Sequence, residues 1–86
     1  MAEELYTAFL KLKTKTEAAH FLRDLLTLPE IKEFSKRLQI ATALYKNQGS
    51  YQAIAQKLHV STTTVTRVAH WLHHGKGGYK LVLDRS

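Results

Sequence analysis

No cysteine occurs among the 86 residues, so the chain must reach a stable fold with neither a disulfide staple nor a thiolate-held metal. Its length predicts one domain, and a chain this short buries only roughly 60–65% of the surface its unfolded form exposes. That margin is thin for a lone monomer, and oligomerisation is the remaining way to add buried area. The hydrophobic share of 44% is that of a globular chain rather than a disordered one. No apolar run approaches the roughly 20 residues that cross a bilayer. The opening MAEELYTAFL is acidic and lacks the basic start of a signal peptide, so a cytoplasmic location is expected.

Pro29 is the only proline, and the four glycines fall late, at Gly49, Gly75, Gly77 and Gly78, which leaves a helix-friendly interior. Leu5, Phe9 and Leu12 recur at helical spacing and predict a first helix over about Ala2–Lys13. Thr16 is the expected N-cap of a second, whose apolar face is Ala18, Phe21, Leu22, Leu25 and Leu26. Pro29 suits the first turn of a third helix, with Glu30 and Glu33 near its positive end. Its apolar stripe runs from Ile31 through Phe34, Leu38 and Ala41 to Leu44 and Tyr45. Asn47-Gln48-Gly49 reads as its stop, Gly49 supplying the permissive conformation, and Ser50 can cap a fourth helix. Beyond Gly78, Tyr79, Leu81 and Leu83 alternate with Lys80, Val82 and Asp84, the pattern of a short strand or an irregular docked tail.

The net charge is +6, and its distribution says more than its sum. Six of the seven acidic residues lie in the first 33 positions. After Glu33 only Asp84 is acidic, against Lys36, Arg37, Lys46, Lys57, Arg67, Lys76, Lys80 and Arg85. A near-neutral first part and a strongly basic second part favour a polyanionic partner.

The segment from Tyr51 to Leu72 satisfies the physical requirements of a helix-turn-helix. Ala55 is small where two helices must cross closely, and Ile54, Leu58, Val60, Val65 and Val68 are spaced to fill the wedge between them. Ser61 follows the turn directly and can cap the second helix, which runs to His74. His59 stands where such turns commonly hold glycine, and histidine tolerates the positive φ expected there. The second helix would enter the major groove with its N-terminal residues against base edges. Ser61, Thr62, Thr63, Thr64, Thr66 and Arg67 are the candidate contacts on it. Gln52 is a candidate for phosphate or adenine, and Lys57 and Lys76, with Lys80, for phosphate.

Residues 25–72 resemble the Trp repressor family without a gap, through Leu25-Leu26-Thr27, Arg37-Leu38-Gln39-Ile40, Leu44, Ser50 and Val65-Thr66-Arg67. The run from His74 to Asp84 is similar to a smaller branch whose chains end in a GGYKLVL-type tail. The resemblance implies an all-α, intertwined homodimer of about five helices per chain. Residues 1–48 would form the shared core, 50–74 the reading head and 75–86 the tail. It also implies repression of transcription at a palindromic operator. Arg37 and Arg67 match the two arginines that hold tryptophan in that family, and Thr27 matches a third contact. Val68 stands where the repressor has a glycine that leaves room for the ligand, and Trp71 where it has a serine that helps hold the ligand's amino group. The resemblance therefore implies a slot closed to free tryptophan, with Val68 and Trp71 filling it.

Three other constellations are weaker. His70 and His74 have a spacing that can bind metal, but no carboxylate lies near them in sequence; His70, His73 and His74 read as a polar helix end near phosphate. Gly75–Gly78 lacks the spacing of a phosphate loop, and no Ser/His/Asp set stands out, so neither enzymatic activity nor a cofactor is expected. Two alternatives to a repressor needing no ligand stay open: a protein-interaction module on the same fold, and a repressor gated by an unknown small molecule.

Overall fold

A computed structural model describes residues 2–85. It contains six helices and, among the described residues, no strand: α1 (Ala2–Leu10), α2 (Lys15–Leu25), α3 (Leu28–Tyr45), α4 (Tyr51–Leu58), α5 (Thr62–His74) and α6 (Gly78–Asp84). The chain divides into two compact units, residues 1–32 and 33–86.

In the first unit, side chains fix the helix ends. Thr14, not Thr16, caps α2: its hydroxyl accepts from the Glu17 amide at 3.0 Å, and the Glu17 carboxylate accepts from the Lys13 amide at 2.8 Å. The residue three positions on decides between the two threonines. Thr14 has Glu17 there, whereas Thr16 has Ala19, which cannot reach back. The first helix accordingly ends at Leu10 rather than Lys13, closing in a tightened turn as Lys11 donates to Ala8 and Leu12 to Phe9. Thr27 and Glu30 form a full capping box at the start of α3. The Thr27 amide donates to Glu30 Oε1 at 2.9 Å and its hydroxyl accepts from the Glu30 amide at 3.3 Å. These contacts, the Thr27 amide foremost, hold the Glu30 carboxyl below its ordinary range. Phe9 and Phe21 meet edge to face at 5.7 Å. Yet neither α1 nor α2 has a buried residue, and Leu10 is 84% exposed.

The second unit holds the core. Ile40, Ala41 and Ala43 of α3 pack with Ile54 and Ala55 of α4, Val65, Val68 and Leu72 of α5, and Leu83 of α6. Ile40 and Val65 are wholly enclosed, and burial of a side chain of that size contributes roughly 1.5–3 kcal/mol. The stop after α3 is made by Asn47, in the left-handed region at φ 53°, rather than by Gly49. The Asn47 amide donates to Leu44 and the Gln48 amide to Ala43, so the last carbonyls of α3 are satisfied.

From Gly78 to Asp84 the chain is a helix, not a strand or an irregular tail, and the described residues form six helices where about five were expected. The alternation of Tyr79, Leu81 and Leu83 misled. Only Tyr79 and Leu83, four apart on one helical face, turn toward the core; Leu81 stays exposed. Gly75 separates α5 from this last helix. A Cβ there would clash with the Trp71 carbonyl oxygen, so no larger residue can close α5 in this way. Tyr45, at the end of α3, donates its hydroxyl to Asp84 and ties down α6; this bond, with burial and the carboxylate charge, pushes the phenol above its ordinary value.

The turn between α4 and α5 repeats the Asn47 closure. His59 takes the left-handed conformation at φ 58° and ψ 46°. Its amide donates to Gln56 at 3.3 Å, and the Val60 amide donates to Ala55 at 3.0 Å. A left-handed conformation costs a non-glycine residue roughly 1–2 kcal/mol, and glycine gives back part of that gain as lost entropy. His59→Gly should therefore stabilise the chain by up to about 1 kcal/mol, while His59→Val should destabilise it by at least as much, as read by chemical denaturation.

Candidate nucleic-acid interface

The burial pattern of α5 decides which of its side chains can meet a ligand. Val65, Val68, Ala69 and Leu72 face the core. Thr62, Thr63, Thr66 and Arg67 therefore face outward, and all four are exposed. Ser61 caps the helix, its hydroxyl accepting from the Thr64 amide at 3.1 Å and lying 2.9 Å from the Thr64 hydroxyl. Ser61 and Thr64 thus spend their hydroxyls on shaping the helix start. The Thr66 hydroxyl donates to the Thr62 carbonyl at 2.9 Å, which leaves its methyl and an oxygen lone pair outward. Among the described residues, the Thr62 and Thr63 hydroxyls have no partner.

The remaining sequence candidates surround this start. Gln52 lies exposed in the first turn of α4, and Lys57 is exposed in its last turn, where a cation also suits the helix dipole. Lys76 is exposed just beyond α5. No carboxylate lies on α4 or α5, so the head carries positive and neutral polar groups only.

Sequence reasoning missed Lys36, which it counted as one more surface charge. Lys36 Nζ donates to the Leu58 carbonyl at 2.9 Å and so pins the end of α4 to α3. The two residues are 22 positions apart, and no local pattern signals such a bond.

Behind the outward face lies a cleft of ≈ 870 Å³. Arg37, Arg67, Val68 and Trp71 all line it, joined by Lys76 and by Tyr79 of α6. Thr27 belongs to the first unit, where its hydroxyl and amide are engaged by Glu30. Arg37 is bound to Glu33 at 2.7 Å and lies 5.6 Å from the centre of the Phe34 ring, as a pair on one helix face would. Val68 is buried, part of the core beneath the cleft. Trp71 is 61% exposed, so within the chain it does not fill the cleft as the sequence implied; its position on α5 points it past the core-facing stripe.

The comparisons agree with this architecture. The family model described as Trp repressor protein matches residues 2–86. A Bacillus subtilis (strain 168) protein that bears the name Uncharacterized protein YerC is 34% identical over 83 residues, covering 96% of this chain and 79% of its own length. A crystal structure described as a "putative Trp repressor" from Staphylococcus aureus superposes with a TM-score of 0.88 at 38% identity, over 98% of this chain and 83% of that one. A TrpR-like protein from Eubacterium eligens superposes with a TM-score of 0.87 at 38% identity, over 96% and 84%. On both the family match and the shared fold, the chain belongs to the Trp repressor family, whose fold is that of helix-turn-helix DNA-binding regulators and not of enzymes.

Proposed function

We propose that the chain is a sequence-specific transcriptional repressor that binds a palindromic operator as a homodimer and needs no free tryptophan. The observation that carries this reading is the start of α5: a capped helix on a basic head that offers Thr62, Thr63, Thr66 and Arg67 outward. Threonine hydroxyls and methyls suit base edges and the thymine methyl, and the flanking cations suit phosphate.

The homodimer is supported by the first unit. Leu5, Tyr6, Phe9 and Leu10 of α1, with Leu25 and Leu28, are exposed in the lone chain, and no residue of α1 or α2 is buried. Apolar side chains grouped in this way mark a surface that another chain covers. The closure of the tryptophan slot is supported by Val68, whose buried side chain occupies space at the base of the cleft. A second reading, gating by another small molecule, is favoured by the cleft's cations Arg37, Arg67 and Lys76 beside the aromatic Trp71 and Tyr79.

The purified chain should bind duplex DNA with an affinity that falls steeply with salt, and Lys57→Ala and Lys76→Ala should each lower the logarithmic salt slope by about 1. No binding at low salt would favour a protein-interaction module instead. In sedimentation the chain should run as a dimer, and Tyr6→Asp with Leu10→Asp should shift it to monomer; a wild-type monomer at micromolar concentration would remove the dimer from the proposal. Titration calorimetry with tryptophan should show no micromolar binding, and such binding would overturn the closed slot. The same titration with anionic metabolites tests the gated reading.

A further inference from the structure

The outward stripe of α5 does not end with Arg67. At 3.6 residues per turn, His70, His73 and His74 continue the side that carries Thr62, Thr63 and Thr66, and all three are exposed. The rings lie close together, His70 to His74 at 5.2 Å and His73 to His74 at 6.5 Å between centroids. Among the described residues none of the three makes a hydrogen bond or ion pair with the protein, their contacts being with one another and, for His70, with the Trp71 ring. Among the described residues, no three or more His, Cys, Asp or Glu side chains are grouped so as to hold a metal ion.

We infer that His70, His73 and His74 form a proton-dependent phosphate contact that extends the DNA interface beyond the threonine half of α5. The inference rests on the DNA-binding reading above. Eleven residues at ~1.5 Å rise put His73 about 17 Å from Thr62, more than the roughly 12 Å width of the major groove. A helix that starts at base edges and crosses the groove carries its far end to the flanking backbone. That end is the negative pole of the helix dipole, which repels phosphate while the rings are neutral and attracts it once they carry protons.

The surroundings leave phosphate as the counter-ion these rings lack. On α4 the titratable groups are Tyr51 and Lys57, and on α5 itself Arg67, followed by Lys76. On α6 they are Tyr79, Lys80 and Asp84, and on the part of α3 in this unit Glu33, Lys36, Arg37 and Tyr45. Both carboxylates in that set are engaged elsewhere, Asp84 by the Tyr45 hydroxyl and Glu33 by Arg37.

Phosphate contacts do not depend on base sequence, so a fluorescently labelled mixed-sequence duplex serves as the probe. Its affinity for the full chain is read by anisotropy at constant ionic strength. Between about pH 8 and about pH 6 it should tighten roughly tenfold, with a steeper salt slope at the lower pH. The variant His70→Gln, His73→Gln, His74→Gln should keep its helical circular dichroism and change its affinity less than about twofold between the two pH values. Binding that is flat with pH, or a pH response that survives in the variant, overturns the inference and leaves the DNA-binding reading standing. A chain that binds no duplex at either pH overturns both.

Discussion

Two backbone hydrogen bonds close α4, the His59 amide donating to the Gln56 carbonyl and the Val60 amide to the Ala55 carbonyl, and the direction of α5 follows from them. The second bond draws Val60 in over Ala55 and seats it against the core. Only a residue in the left-handed region makes that return in so few positions, and His59 accepts the strain. Ser61 then caps α5 at once, so the chain changes direction between two satisfied helix ends. Lys36 adds an anchor from α3 to the same point through the Leu58 carbonyl. The outward threonines have a defined bearing because turn, cap and anchor all act within four residues of one another.

The two units meet the limits of a short chain differently. The second unit gathers the buried side chains of four helices into one cluster and closes it with α6 through Leu83 and the Tyr45–Asp84 bond. The first has well-capped helices, yet capping contributes only about 1 kcal/mol at each end and does not replace a core. Its order depends on apolar side chains that the lone chain leaves in water. In the proposed dimer the same side chains would supply the missing core.

Legibility in the sequence followed the range of the interactions. Ser50, Ser61 and the left-handed His59 were readable because cap and turn chemistry is local. The wedge of Ile54, Ala55, Val65 and Val68 was readable because helical spacing is local too. Thr14 was missed for Thr16, although the Glu17 three residues on was the deciding signal. The tail was misread because alternating apolar residues also fit a helix when only Tyr79 and Leu83 need a core face. Lys36–Leu58 and Tyr45–Asp84 join residues far apart in the chain, and no pattern along it foretells such bonds. Four of the five residues named together for a pocket, Arg37, Arg67, Val68 and Trp71, line one cleft, but the exposure of Trp71 was not legible, because it depends on how far α5 rotates its stripe past the core.

One helix carries both the outward face and a wall of the cleft. Thr62, Thr63 and Thr66 look outward, the exposed Arg67 lies where that face meets the cleft, and Thr64, Val68 and Trp71 line the cavity behind. A ligand in the cleft can alter the outward face only by moving α5 against α3, because a helix transmits displacement as a body. Val65, Val68 and Leu72 resist that movement, since each would lose part of a burial worth roughly 1.5–3 kcal/mol. Typical coupling free energies between sites are about 1–3 kcal/mol. A gating ligand would thus have to offset nearly its whole coupling in lost core packing. In the proposed repressor that needs no ligand, the buried Val68 would hold α5 against the core where a glycine would hold it less firmly.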